Sequence, residues 1–319
     1  MASHDARTHS PAVQAAGIVV VVTVAIAIIA IAFALPAVRS KPRYVPIGAT
    51  GPQAPAVAQM LEHNAPGAFK LNTYPDDASL RAAIRDRAVY GGISFTPAPT
   101  MLIASGASPV VAQLLTQIGT GIAQHTGAPL RVDDLAPPTA NDPRGTGLAA
   151  SVLPITLAGL LPAIALVLVL ERAVWTRLVA TVAFSFLGAA TIAAILRYVL
   201  GSIDQNFWGV TGGLTLGILA AGLAVLGLGS LFGRVGLAVG ALLALLLGNP
   251  LSGLNSAPEM LPRGWGALGQ YLPQGANATL LRSTAYFDAA GAGTAIAVLT
   301  CWAVVGLVLV AAAALRKRP

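Results

Sequence analysis

Apolar runs long enough to cross a bilayer constrain this chain more than any other feature. A helix needs about 20 apolar residues to span the hydrocarbon core. Residues 17–35 carry no charge and are rich in Val, Ile and Ala. They predict a first membrane helix over 17–37, behind a short tail over 1–16. A signal peptide is the competing reading, because Ala32-Phe33-Ala34 resembles a cleavage site. The run outlasts the usual apolar core of about 7–15 residues, so an uncleaved anchor is expected. Further apolar runs occupy residues 148–170, 178–200 and 294–315. Residues 209–248 contain one charge, Arg234, and are too long for one crossing. Two crossings with a turn near 227–233 bring the expected total to six.

The composition agrees. Of the 319 residues, 55% are hydrophobic and 10% charged, where a soluble domain carries roughly a quarter charged. That excludes an ordinary soluble domain, a disordered chain and a nucleic-acid-binding module. The net charge of +7 comes from 19 Lys and Arg against 12 Asp and Glu. In a membrane protein such an excess reports loop orientation. Arg7, Arg172, Arg177, Arg234 and the Arg316-Lys317-Arg318 triplet fall on one side of the six-span plan, and Asp204 on the other. Both termini are therefore expected in the cytoplasm of a multi-pass plasma-membrane protein. Residues 38–147 and 249–293 are expected outside.

The expected fold class is an α-helical polytopic membrane protein, with a small α/β extracytoplasmic domain between the first and second spans. Within 38–147, strands are expected at 43–49, 68–74, 89–95 and 100–104. Helices are expected at 53–64, from Asp76-Asp77 to 87, and from Ser108-Pro109 to 124. Asp133-Asp134 reads as a solvated turn. The remainder, 148–319, forms a five-helix membrane domain. Its outside segment at 249–293 predicts two short helices, near 258–271 and 273–286, each begun by a proline. Their Leu, Trp and Tyr residues suit the headgroup level or a re-entrant dip; a partly buried surface loop is the alternative.

Chemistry-bearing motifs are sparse. Lys41, Lys70 and Lys317 are the only lysines and none follows a glycine, so no P-loop is present. No His-Glu-x-x-His or Gly-x-Ser-x-Gly occurs, and His4, His9, His63 and His125 all lie outside the spans. No enzyme activity, metal or cofactor is expected on this chain. The single cysteine, Cys301, excludes an internal disulfide and reads as a small packing residue. Arg197 is the one candidate ionisable residue within the expected spans, near the outer end of its helix, where it can snorkel. Thr156, Thr181, Ser185, Thr191, Thr211 and Thr215 could line a path for a lipophilic cargo, or satisfy nearby carbonyls. Gly209, Gly213 and Gly217, and the pair Gly236 and Gly240, form small-xxx-small steps that suit close helix packing. Asn277-Ala278-Thr279 matches a glycosylation sequon.

Three segments carry a family resemblance. They are residues 80–93 (LRAAIRDRAVYGGI), 100–115 (TMLIASGASPVVAQLL) and 249–287 (NPLSGLNSAPEMLPRGWGALGQYLPQGANATLLRSTAYF), the last with Leu-Pro steps at Leu261-Pro262 and Leu272-Pro273. With the order of one span, a large outside domain and five spans, the chain resembles type-2 ABC exporter permeases, in the phage-infection-protein-like branch. The resemblance implies a homodimer, or a heterodimer with a similar permease, embedded in the lipid bilayer and driven by a separate ATPase subunit. Such permeases usually meet the ATPase through an N-terminal elbow helix and a coupling helix between spans two and three, and neither is evident here. The loop holding Glu171, Arg172, Trp175 and Arg177 is the expected docking surface, with Trp175 as the anchor and the charges orienting the contact. The implied function is export of a lipophilic compound or envelope component. The alternative is a non-transporting membrane protein whose outside domain binds or scaffolds a partner; an intramembrane enzyme lacks a visible catalytic set.

Overall fold

The computed structural model describes residues 10–95, 98–127, 129–171, 173–254 and 256–316. It is mostly helical. Five helical stretches are long and apolar enough to cross a membrane: Pro11–Val38, Thr146–Val169, Val174–Val199, Phe207–Gly248 and Gly293–Arg316. That is the pattern of a multi-pass membrane protein. The first, α1 (Pro11–Val38), is capped by the Ser10 hydroxyl accepting from the Val13 N–H and meets the rest of the chain at the turn Leu243–Gly248. Its apolar side chains are exposed along its length, and Pro36 is its buried residue.

The polar stretch folds as a five-stranded mixed sheet of order β2-β1-β3-β4-β5. The strands are β1 (Val45–Thr50), β2 (Phe69–Tyr74), β3 (Gly91–Ser94), β4 (Thr100–Ile103) and β5 (Arg131–Asp134). β1 pairs parallel with β2 and β3, β3 antiparallel with β4, and β4 parallel with β5. The crossovers carry α2 (Ala54–Asn64), α3 (Asp77–Arg85) and α4 (Pro109–Thr126). Local chemistry sets these helices. Asp76 caps α3 by accepting from the Ser79 N–H at 2.8 Å, and Leu80 and Ile84, one turn apart, enter the core. Ser108 caps α4 with Pro109 in its first turn. The expectation of a solvated turn at Asp133-Asp134 is corrected. These residues end β5, where Asp133 accepts from Arg81 at 2.7 Å and Asp134 from the Ser105 N–H at 3.1 Å. A four-residue edge strand with two acidic residues gives almost no alternating pattern to read.

The expected boundary of this domain at residue 147 is also corrected. Ala257 and Met260 complete the core on one side of the sheet. Phe287 packs with Leu80, Ile84, Val89 and Leu102 on the other. Two pieces of chain from beyond the fourth apolar stretch are thus part of the α/β core.

The membrane helices are α6 (Val152–Val169), α7 (Val174–Ala194), α8 (Phe207–Leu242) and α11 (Gly293–Arg316), with a one-turn helix α5 (Thr146–Ala150) leading into α6. α7 and α8 each run on into a π-helical turn, Ile195–Val199 and Leu243–Gly248. α8 breaks at Gly233, whose φ of 63° and ψ of −140° lie outside helical space. In a continuous helix, residues 225 and 240 would stand about 22 Å apart. Instead a Cβ on Gly240 would lie 3.6 Å from the Val225 Cα, so the chain doubles back at Gly233. The turn near 227–233 therefore sits at its last residue, and Gly227 belongs to the helix before it.

Asp142 joins the two halves of the molecule. It is buried, and accepts from the N–H groups of Thr146 and Gly147 at 2.8 Å and from the hydroxyls of Thr146 and Ser202 at 2.9 and 2.7 Å. Burial pushes its carboxyl up, but these four donors outweigh burial and hold it below its ordinary value. Asp142→Ala should cost about 3 kcal/mol, the worth of charge-assisted bonds and their orphaned donors. A depressed pKa stabilises above the unfolded value of about 3.9 and is lost as pH falls through the folded one. The melting-temperature gap between wild type and Asp142→Ala should therefore hold from pH 7 to 5 and narrow only below about pH 4. A gap already narrowing between pH 7 and 5 would contradict an ionised carboxylate.

Candidate functional site

A cavity of about 860 Å³ lies where the α/β domain meets the segment 258–282. Lys41 and Arg43 reach it from the strip joining α1 to β1, and Arg87 and Tyr90 from the turn between α3 and β3. Glu259 comes from the 3-10 turn Pro258–Met260. Arg263 precedes α9 (Trp265–Gln270), and Arg282 lies in α10 (Pro273–Tyr286). Backbone carbonyls hold the guanidinium groups in place. Arg43 donates to the carbonyls of Met260 at 3.0 Å and Leu261 at 2.6 Å. Arg282, 6% exposed, donates to the carbonyls of Gly253 at 2.9 Å, Ser256 at 3.3 Å and Leu254. Arg87 donates to the Thr279 carbonyl at 2.9 Å and to the Ser283 hydroxyl, and its guanidinium lies 5.2 Å from the Phe287 ring centre.

Arg87 occupies an unusual backbone position. It follows α3 with φ of 61°, where glycine is the usual residue because a side chain is strained there. The strained turn aims its guanidinium across the domain boundary. Tyr44, at φ 51°, lines the same cavity.

Carbonyl partners fix the arginines without neutralising them. Lys41, Arg43, Arg87, Arg263 and Arg282 face one carboxylate, Glu259, which accepts from the Tyr90 hydroxyl at 2.7 Å. Among the described residues, the ion pairs within 4 Å are those of Arg81 with Asp77 and Asp133. Burial lowers Arg282 to about 10, with Tyr90 opposing and Arg87 adding to the shift, and burial lowers Arg87 as well. Both remain cationic at neutral pH. Burial and the Glu259 carboxylate push the Tyr90 phenol well above its ordinary value, so it stays a neutral donor. A half-enclosed space with four uncompensated positive charges is built to hold an anion. Among the described residues no three His, Cys, Asp or Glu side chains gather as a metal site would need.

The residues singled out from sequence lie elsewhere. Between α6 and α7 the connection narrows to residues 170–173, with Glu171 exposed and Arg172 outside the described residues. Trp175 is 57% exposed. The expectation of a surface charge at Arg177 is corrected. Arg177 is 1% exposed and donates to the Leu170 carbonyl at 2.6 Å and the Ser230 hydroxyl at 3.2 Å, tying the loop to α8. A long amphipathic side chain at a helix start can fold back over its own loop, and spacing does not show which way it turns.

Gly213 and Gly217 face Leu280 and Asn277 of α10, a short helix rather than a membrane span. Gly236 and Gly240 face Leu228 and Val225 across the reversal. The atoms nearest to a Cβ on Gly209 belong to its own cap residue Asn206, whose amide donates to the Thr284 carbonyl of α10 at 2.9 Å. The hydroxyls of Thr156, Ser185, Thr191, Thr211 and Thr215 donate to carbonyls four residues earlier, as the second reading of them expects, while the buried Thr181 hydroxyl has no hydrogen-bond partner among the described residues. Asn277 is 5% exposed above Gly217 and is no glycan acceptor. Cys301 is exposed on α11 rather than packed within the chain.

The cavity escaped sequence reading because its five cations come from two segments more than 170 residues apart. Arginines in long extramembrane segments carry no topological information, and that rule hid their convergence. The local trace was an arginine at 87, where a helix stop favours glycine. The chain matches no family model, no curated protein and no solved structure.

Proposed function

We propose that this chain is the membrane-spanning subunit of an ABC-type exporter, acting on a lipophilic or envelope-derived cargo with a separate ATPase. The observation that supports it is α10. It precedes the last span, buries eleven of its residues, and packs on α8 and α11 while receiving Arg87 from the α/β domain. A helix clamped in this way would carry any movement of the spans to the cavity. The reversal at Gly233 makes two crossings of α8 and six in all. Trp175, Glu171 and Arg234 then lie in the cytoplasm and the α/β domain outside. The exposed α1 faces lipid or a second permease copy. Trp175 and Arg234 form the surface offered to the ATPase.

The test is co-purification of the full chain with a candidate ATPase from membranes. Trp175→Ala should reduce capture about tenfold or more, as a buried aromatic anchor would. Labelling of His63→Cys from outside intact cells, and of Arg234→Cys only after lysis, both in a Cys301→Ser background, fixes the orientation. Undiminished capture by Trp175→Ala at equal membrane levels would remove this surface. A chain that captures no ATPase would favour the second reading, a membrane receptor or scaffold. The small turn end supports that alternative: between the spans, among the described residues, it offers the connection over 170–173 and the bend at Gly233.

A further inference from the structure

We infer that the cationic cavity and the groove beside it form one site for an anionic membrane lipid, with the headgroup phosphate in the cavity and an acyl chain in the groove. The groove, about 510 Å³, runs between the last turn of α1, the start of α6 and the strip 249–261. Phe33, Pro36, Val110 and Leu153 give it an apolar wall. Leu261 lines both spaces, and Ser40 in the groove is followed directly by Lys41 in the cavity. The two are therefore adjacent rooms sharing one wall.

Depth supports the same occupant. The groove lies at the ends of two membrane-length helices, α1 and α6, where hydrocarbon chains begin. The cavity lies just past those ends, at the level of headgroups. An anion recognised by Lys41, Arg43, Arg87, Arg263 and Arg282 at that depth is a lipid phosphate; a soluble anion would have no use for the apolar groove. Arginine forks suit phosphate oxygens. Asn249 lines the groove, is 8% exposed, and its side-chain oxygen has no hydrogen-bond partner. Oxygen and nitrogen of that amide exchange on a half-turn, so its N–H can donate to the ester oxygens that a lipid carries at this depth. Phe33 and Leu153, 44% and 48% exposed, are apolar surface that a chain would cover.

The inference deepens the cavity's role and does not need ATP-driven transport. The test uses the purified full chain alone, so its failure is distinct from failure of the exporter reading. Native mass spectrometry would titrate the chain with phosphatidylglycerol, phosphatidylcholine and inorganic phosphate. Phosphatidylglycerol should bind at least tenfold more tightly than phosphatidylcholine, and inorganic phosphate at least a hundredfold more weakly. Lys41→Glu/Arg263→Glu changes two exposed lining residues, spares the core, and should weaken phosphatidylglycerol at least tenfold. Leu153→Ser should weaken phosphatidylglycerol severalfold while leaving inorganic phosphate unchanged. Equal binding of the two lipids, or no effect of the charge reversals, would overturn the headgroup assignment. Inorganic phosphate binding as tightly as the lipid, or an unaltered lipid affinity in Leu153→Ser, would overturn the acyl groove.

Discussion

Arg282→Ala should lower the melting temperature of the purified chain by about 10 °C, the equivalent of roughly 4 kcal/mol for a chain of this size. The side chain supplies the donors for three carbonyls, those of Gly253, Leu254 and Ser256, and these brace the strip between the doubled-back α8 and the cavity. Alanine would leave the three acceptors facing a void, at about 1–3 kcal/mol for each buried group. Two effects oppose the loss. Repulsion from Arg87 is relieved, and some carbonyls gain water through the open cavity. The first is screened by that same solvent access, and the second is limited because Gly253, Leu254 and Ser256 do not line that cavity, so the orphaned carbonyls should win. Arg282→Lys keeps the charge but gathers its donors on one nitrogen, and should lose about half as much. Arg85→Ala, exposed at the end of α3, should stay within about 0.5 kcal/mol. If Arg282→Ala melted with the wild type, the carbonyl clamp would have no energetic content.

Contrasts between particular residues explain what was legible in the sequence. The apolar runs, the cap at Asp76 and the Ser108-Pro109 helix start act over a few residues, so their patterns carried directly into structure. The core positions Ala257, Met260 and Phe287 did not, because nothing in 249–293 marks them as belonging to a sheet some 150 residues earlier. The cavity failed for the same reason: Arg87 and Arg282 meet only because α10 is packed on its inner side by α8 and α11. Trp175 and Arg177 mark a different limit. They are two residues apart on one helix, and one is exposed while the other is buried. Helical spacing separates their faces by about 200°, but which face turns inward depends on Ser230, 53 residues away.

Glycine spacing shows the limit most sharply, and it yields a prediction that separates pattern from geometry. Gly306 belongs to no small-xxx-small step: Trp302 and Val310 stand four residues to either side. Yet a Cβ on Gly306 would lie 2.4 Å from the Leu223 carbonyl carbon, 2.6 Å from its oxygen and 2.7 Å from the Ala224 nitrogen. Opposite it, a Cβ on Gly227 would lie 2.8 Å from the Gly306 oxygen. The α8 and α11 backbones touch at this crossing, and backbone cannot swing aside as a side chain can. A carbon needs about 3.5–4.0 Å, so Gly306→Ala should force the helices apart by about 1 Å along their contact. That loss exceeds the gain of about 1 kcal/mol in helix propensity, leaving a net cost of about 3 kcal/mol. Gly213 sits in the repeated motif, but its added Cβ would meet Leu280 side-chain carbon at 3.2 Å and Thr284 at 3.6 Å. Those atoms can yield by a few tenths of an ångström, and the propensity gain offsets the strain. Gly213→Ala should therefore remain within about 1 kcal/mol of wild type. Thermal melting of the two variants in detergent decides the matter. A stable Gly306→Ala beside a failing Gly213→Ala would mean that the motif, not the backbone contact at Leu223, locates the tightest crossing.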